Sequence, residues 1–131
     1  MTELALMQQA RKAMEYAYVP YSKFRVGAAL LTTDGKVYTG CNIECASFGG
    51  TNCAERTALF KAISEGHRSF EAIAVVSDND EYTFPCGICR QVIVEFGKDI
   101  KIIVGTSDGK IETFTIEELL PHYFSGIDLK K

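Results

Sequence analysis

The sequence predicts an α/β fold, a three-layer α/β/α sandwich with a central mixed sheet of about five strands. Three observations carry this. Apolar residues recur at helical spacing near the N-terminus and again in stretches that alternate with strand-like runs. Two Asp-Gly pairs, Asp34-Gly35 and Asp108-Gly109, lie between strand-like runs and mark hairpins. The other strands are separated by helices, the usual link between parallel neighbours, so the sheet mixes both directions and carries helices on both faces. With 131 residues and 47% hydrophobic content, the chain has the size and composition of one domain with one core, spanning 1–131.

Leu4, Met7, Ala10, Arg11 and Met14 recur at helical spacing, with Thr2 placed as N-cap, so the first helix runs from Glu3 to about Ala17. Val19-Pro20 ends it. Arg25 to Thr32 and Lys36 to Gly40 read as an antiparallel pair around Asp34-Gly35, where both turn residues tolerate positive φ. A polar segment from Asn42 to Asn52 leads into a helix from Ala54 to about Glu65, terminated by Gly66. Ala72 to Val76 is a buried strand, Asp78 to Tyr82 an acidic loop, and Gly87 to Phe96 the next helix. Ile100 to Val104 and Lys110 to Phe114 are strands about Asp108-Gly109, and Thr115 with Glu118 forms a capping box for a short last helix that Pro121 limits. No internal repeat is evident, and the order of the strands does not follow from these signals.

A formal charge of −3 argues against a nucleic-acid polymer as partner, because such affinity comes largely from Lys and Arg displacing counterions. A small, weakly charged substrate fits better. Glu3, Gln8, Gln9, Arg11 and Lys12 interrupt the N-terminal apolar pattern, unlike a signal peptide, and no run reaches membrane-spanning length. The expected location is therefore the cytoplasm, with no membrane contact. Five cysteines without an export signal favour metal or redox chemistry over a disulfide framework.

Cys53-Ala54-Glu55 and Pro85-Cys86-Gly87-Ile88-Cys89 carry the chemistry. Three thiols close three sides of a tetrahedral zinc and leave the fourth to water, whose protons Glu55 is placed to handle. Cys86 and Cys89 lie three apart at a helix start, so their sulfurs face one side. Successive helical residues rotate by roughly 100°, so Cys53 and Glu55 converge only if Cys53 is a cap. Both helices then aim N-terminal N–H groups at the thiolates. Three thiolates leave a bound Zn²⁺ with formal charge of about −1, which weakens its power to acidify water. Arg56 is the full positive charge nearest Cys53 in sequence, and the expectation is that it donates hydrogen bonds to ligand sulfurs. The competing reading is a solvated surface arginine. A Cys-x-x-Cys pair alone also suits redox chemistry or half of a structural four-ligand site, for which Cys41, Cys45, His67 and His122 are the remaining and poorly placed candidates.

Cys-x-Glu followed at a distance by Pro-Cys-x-x-Cys resembles the signature of zinc-dependent nucleoside and nucleobase deaminases in their three-cysteine form. Tyr21-Ser22-Lys23-Phe24-Arg25-Val26-Gly27-Ala28-Ala29, Gly40-Cys41-Asn42-Ile43-Glu44 and Cys53-Ala54-Glu55-Arg56-Thr57-Ala58 together resemble the small homotetrameric cytidine deaminases. The resemblance implies one zinc per subunit on Cys53, Cys86 and Cys89, with Glu55 as the proton shuttle. It also implies that Phe24 packs on the pyrimidine, that Asn42 and Glu44 bond the ribose 3′ side, and that Ala54 backbone with Glu55 reads the base edge. Phe124 matches the aromatic that reaches into a neighbouring subunit's site, with Phe48 in the contributing loop; an aromatic near a chain end also docks commonly on its own domain. The family commonly has Asn and Tyr where this chain has Cys45 and Phe48, which bears on sugar-side and intersubunit hydrogen bonds but not on the metal.

The activity so implied is hydrolytic deamination of cytidine and 2′-deoxycytidine, a step of pyrimidine salvage. A blasticidin-type aminonucleoside deaminase shares the zinc motif but, on the same resemblance, lacks the Arg-Thr present here as Arg56-Thr57. The non-enzymatic alternative, a structural zinc module, would unfold when chelated rather than first lose activity.

Overall fold

The computed structural model describes residues 1–129. Its five strands, β1 (Val26–Thr32), β2 (Val37–Cys41), β3 (Phe70–Ser77), β4 (Lys101–Gly105) and β5 (Ile111–Thr115), form one sheet in the order β2-β1-β3-β4-β5. Only β3 and β4 run parallel; the other three pairings are antiparallel. Helix α1 (Glu3–Met14) covers one face, burying Leu6, Met7 and Ala10 against Ala29, Leu31, Ala74 and Ile103. Helices α2 (Ala54–Ser64) and α3 (Gly87–Glu95) cover the other, where Ala58, Leu59 and Ile93 meet Ala28, Leu30, Ile73 and Val104. The alternation Ala28, Leu30 against Ala29, Leu31 on β1 assigns one face of the pleat to each layer. This is the expected three-layer sandwich.

Thr2 caps α1, its hydroxyl accepting from the Ala5 N–H at 3.0 Å. The buried stripe is Leu6, Met7, Ala10 and Ala13, rotated from the one expected, and Leu4 is 54% exposed. The cause lies in the sheet. A Cβ at Gly27 would sit 2.0 Å from the Ala10 carbonyl oxygen, so the helix backbone rests directly on β1 and only small side chains fit there. The same device seats α2 on β2, since a Cβ at Gly40 would lie 2.4 Å from the Ala54 carbonyl oxygen. That close approach fixes the height of the first turn of α2.

Both hairpins use one turn, Thr-x-Asp-Gly-Lys, at residues 32–36 and 106–110. In each, the Gly N–H bonds the Thr carbonyl, at 3.1 Å and 3.2 Å, and the Thr hydroxyl donates to the Asp carboxylate. Only the glycines take positive φ, +92° at Gly35 and +101° at Gly109, so the turns are not the expected pair of left-handed residues. The Asp serves through its side chain instead. Helix α4 (Ile116–Leu119) has the expected capping box, with Thr115 and Glu118 bonding reciprocally. A short 3-10 turn at Phe48–Gly50 and helix α5 (Gly126–Leu129) were not signalled by periodicity.

Candidate active site

Cys53 is the N-cap of α2 and Cys86 the N-cap of α3, each in extended conformation, and Cys89 lies in the first turn of α3. Their sulfurs all lie within 4.8 Å of one another, the one such group of three His, Cys, Asp or Glu among the described residues. Four ligands at about 2.3 Å on a tetrahedron stand about 3.8 Å apart. The Cys53 and Cys86 Sγ atoms are 3.7 Å apart. The thiol donor set and its spacing therefore fit zinc.

The electrostatics agree. Hydrogen bonds from Cys89, and then from Arg56 and Cys86, outweigh burial and bring the Cys53 thiol down to about 5. Cys89 moves the other way, because it donates to Cys53, is buried and sits near the Glu55 charge. Three sulfurs this close cannot all ionise without a cation between them, and a dication removes that conflict. An Arg56 guanidinium N–H donates to Cys53 Sγ at 3.3 Å, the contact expected of it and not that of a solvated arginine. Thr57 donates to the Cys53 carbonyl oxygen at 3.0 Å and accepts from Asn52 at 3.1 Å, tying the cap to the preceding loop.

Glu55 is 4% exposed, and burial pushes its carboxyl up to about 7. It faces a cleft of about 250 Å³ whose walls include Phe24, Asn42, Glu44, Cys53, Ala54 and Cys86. Residues from three separated motifs thus meet in one cavity. Asn42 accepts from the Val26 N–H at 2.9 Å and donates to the Phe24 carbonyl at 2.8 Å, so it holds the backbone carrying the Phe24 ring. Each end of its amide keeps one further hydrogen-bonding site. Glu44 accepts from the N–H groups of Tyr21 and Ser22 at 3.0 Å and 3.1 Å and from the Ser22 hydroxyl, and these bonds hold its carboxyl below the usual range.

Ser22, Val26, Thr83 and Phe84 also line the cleft and were missed. Phe84 packs edge-on against Phe114 with centroids 5.3 Å apart. Its place directly before Pro85-Cys86 was a usable signal, since the residue entering a ligand-bearing helix is near the metal by construction. Arg90 was missed too; it donates to the carbonyls of Pro85 at 2.7 Å and Leu119 at 2.6 Å and so anchors the start of α3. Phe48 and Phe124 stand outside the cleft, 73% and 58% exposed; the Phe124 carbonyl accepts from the Gln91 amide at 2.7 Å and Tyr123 packs against the core. Phe48 meets Tyr21 edge-on, with centroids 5.9 Å apart. Cys41, Cys45, His67 and His122 are outside the thiol group, and His67 lies against Tyr38, 3.8 Å from Asp34.

A zinc-fitting thiol set at two helix starts, with a buried carboxyl in the adjoining cleft, is the arrangement of a zinc-dependent hydrolase. The profile of the "Cytidine and deoxycytidylate deaminase zinc-binding region" matches residues 1–106. The cytidine deaminase of Sporosarcina psychrophila is 54% identical over 125 residues, 95% of this chain and 92% of that one. The cytidine deaminase of Halalkalibacterium halodurans is 55% identical over 125 residues, 95% of each chain. The crystal structure of cytidine deaminase from Burkholderia pseudomallei has a TM-score of 0.92 and 49% identity, covering 95% of this chain and 100% of that one. A blasticidin-S deaminase of Bacillus cereus is more distant, at 32% identity over 91% of this chain and 89% of that one. The chain belongs to the cytidine and deoxycytidylate deaminase family.

Proposed function

We propose that the chain hydrolyses cytidine and 2′-deoxycytidine to uridine and 2′-deoxyuridine with release of ammonia. The observation that carries this is the buried Glu55 in one cleft with Cys53, Cys86, Phe24, Asn42 and Glu44. A carboxyl shielded from bulk water at the wall of such a cleft is placed both to accept and to return a proton. A zinc held by Cys53, Cys86 and Cys89 supplies Lewis acidity that brings the pKa of a water from about 15.7 towards 7. Glu55 takes one proton from the attacking water and gives it to the ring nitrogen. It then takes the second from the hydroxyl so formed on the amine-bearing carbon and gives it to the departing amine, so that the C–N bond breaks, the carbonyl forms and ammonia leaves. Phe24 offers the ring an apolar face, Ala54 backbone reads the base edge, and Asn42 and Glu44 bond the sugar hydroxyls. Arg56 draws electron density from the ligand sulfurs.

The exposed Phe48 and Phe124 support a homotetramer in which neighbouring chains complete each site. No helix among the described residues is long and apolar enough to cross a membrane, and we assign the protein to cytoplasmic pyrimidine salvage. The aminonucleoside reading is weaker, because the blasticidin-S relative is 32% identical against 54% and 55% for the two cytidine deaminases. Ultraviolet absorbance of the purified protein mixed separately with cytidine, deoxycytidine, adenosine and blasticidin S tests the proposal. Change with the first two alone is expected. Change with blasticidin S alone, or with none, would overturn it.

A further inference from the structure

The segment before β1 is wound around one carboxylate. Glu44 Oε1 accepts the N–H groups of Tyr21 and Ser22, and Oε2 accepts the Ser22 hydroxyl. That hydroxyl in turn accepts the Phe24 N–H at 3.1 Å. Lys23, between them, takes a left-handed φ of 60°, and its N–H is fixed to the Val19 carbonyl at 3.0 Å. The short loop therefore spends a strained backbone conformation on pointing Ser22 at Glu44. Ser22 and Glu44 both line the cleft that holds Glu55, and both also line the apolar hollow formed by Tyr21, Phe48 and Thr51.

A carboxylate offers about four acceptor sites, and three on Glu44 are taken. The free site is on Oε2, the oxygen that Ser22 holds. The terminal torsion of Glu is broad and weakly restrained on its own. With Oε1 bonded to backbone and Oε2 bonded to a hydroxyl whose own position is set by the Phe24 N–H, that torsion has one setting. The chain amide, hydroxyl, carboxylate also polarises in one direction, which strengthens each bond in it.

We infer that Ser22 is a positioning residue for sugar recognition: its hydroxyl sets the angle at which Glu44 meets a sugar hydroxyl and couples that carboxylate to the Phe24 backbone. The inference rests on the reading of Glu44 as a sugar contact. Ser22 touches no reacting atom, so its loss weakens substrate binding and leaves the chemical step intact.

The experiment measures kcat and KM of the zinc-loaded wild type, Ser22→Ala, Ser22→Thr and Glu44→Gln with cytidine and with 2′,3′-dideoxycytidine. Ser22→Ala raises KM for cytidine by about tenfold, the size of a lost bond to a charged group, and leaves kcat within about twofold. Ser22→Thr, which keeps the hydroxyl, restores KM. With dideoxycytidine the Ser22→Ala penalty disappears, which a merely structural role would not produce. An equal penalty on both substrates, or none on cytidine, overturns the inference. The Glu44→Gln control separates the two layers. If its penalty depends on the sugar hydroxyls and that of Ser22→Ala does not, the positioning role alone fails. If neither depends on them, the sugar reading of Glu44 fails with it. Should Ser22→Ala not fold, Ser22→Cys, with its weaker donor, supports the same comparison.

Discussion

Arg56 is the cation that lies against the thiol cluster. Its guanidinium donates to Cys53 Sγ at 3.3 Å, and Nε is buried with no hydrogen-bond partner among the described residues. Arg56→Gln, assayed with zinc occupancy held full, is expected to lose about 10- to 100-fold in turnover, the usual effect of removing a group that tunes a metal's ligands. Unchanged turnover at full occupancy would show that the guanidinium only fills space. Much at this scale was legible in the sequence. The rotation of roughly 100° per residue already required Cys53 to be a cap, which it is. The role of Ser22 was not legible, because its hydroxyl meets a carboxylate 22 positions away and local spacing carries no such information.

At the scale of elements, the placing of α2 decides where Cys53 and Glu55 stand. Gly40 lets the first turn of that helix lie on β2, with its absent Cβ 2.4 Å from the Ala54 carbonyl oxygen and 2.5 Å from the Ala58 N. Both neighbours are backbone, so neither can yield by changing rotamer. Gly40→Ala is expected to destabilise the fold by about 1–3 kcal/mol or more and to lower zinc affinity by lifting Cys53 from Cys86 and Cys89. Thermal unfolding and zinc titration measure the two effects, and wild-type zinc affinity would contradict the argument. Turns and caps were readable because their signals are local: Gly66 takes φ +100° after α2, and Thr115 and Glu118 close their box. The inward face of α1 was misjudged because Leu4 and Leu6 both fit a helical stripe. What chose between them was Gly27 on β1, a partner that the helix's own sequence does not reveal.

For the whole molecule, the class of fold followed from the alternation of helices and strands, but the order β2-β1-β3-β4-β5 did not. Placing β1 between its hairpin partner and β3 is a choice among long-range pairings that no turn residue encodes. The cleft shares that origin: Phe24 and Asn42 come from the two ends of the β1–β2 hairpin, Cys53 and Glu55 from α2, and Thr83, Phe84 and Cys86 from the approach to α3. A pocket built from three chain segments is visible residue by residue only where a motif marks each segment. Two helix starts then present thiols and a buried carboxyl to one cavity, and that convergence is what makes Glu55 the proposed proton carrier. The most direct test is cytidine turnover by Glu55→Gln with zinc content and cytidine binding measured on the same sample. Full zinc occupancy and near wild-type binding, with turnover down by at least about 100-fold, are the predicted result. Turnover within a few-fold of wild type at full occupancy would contradict it.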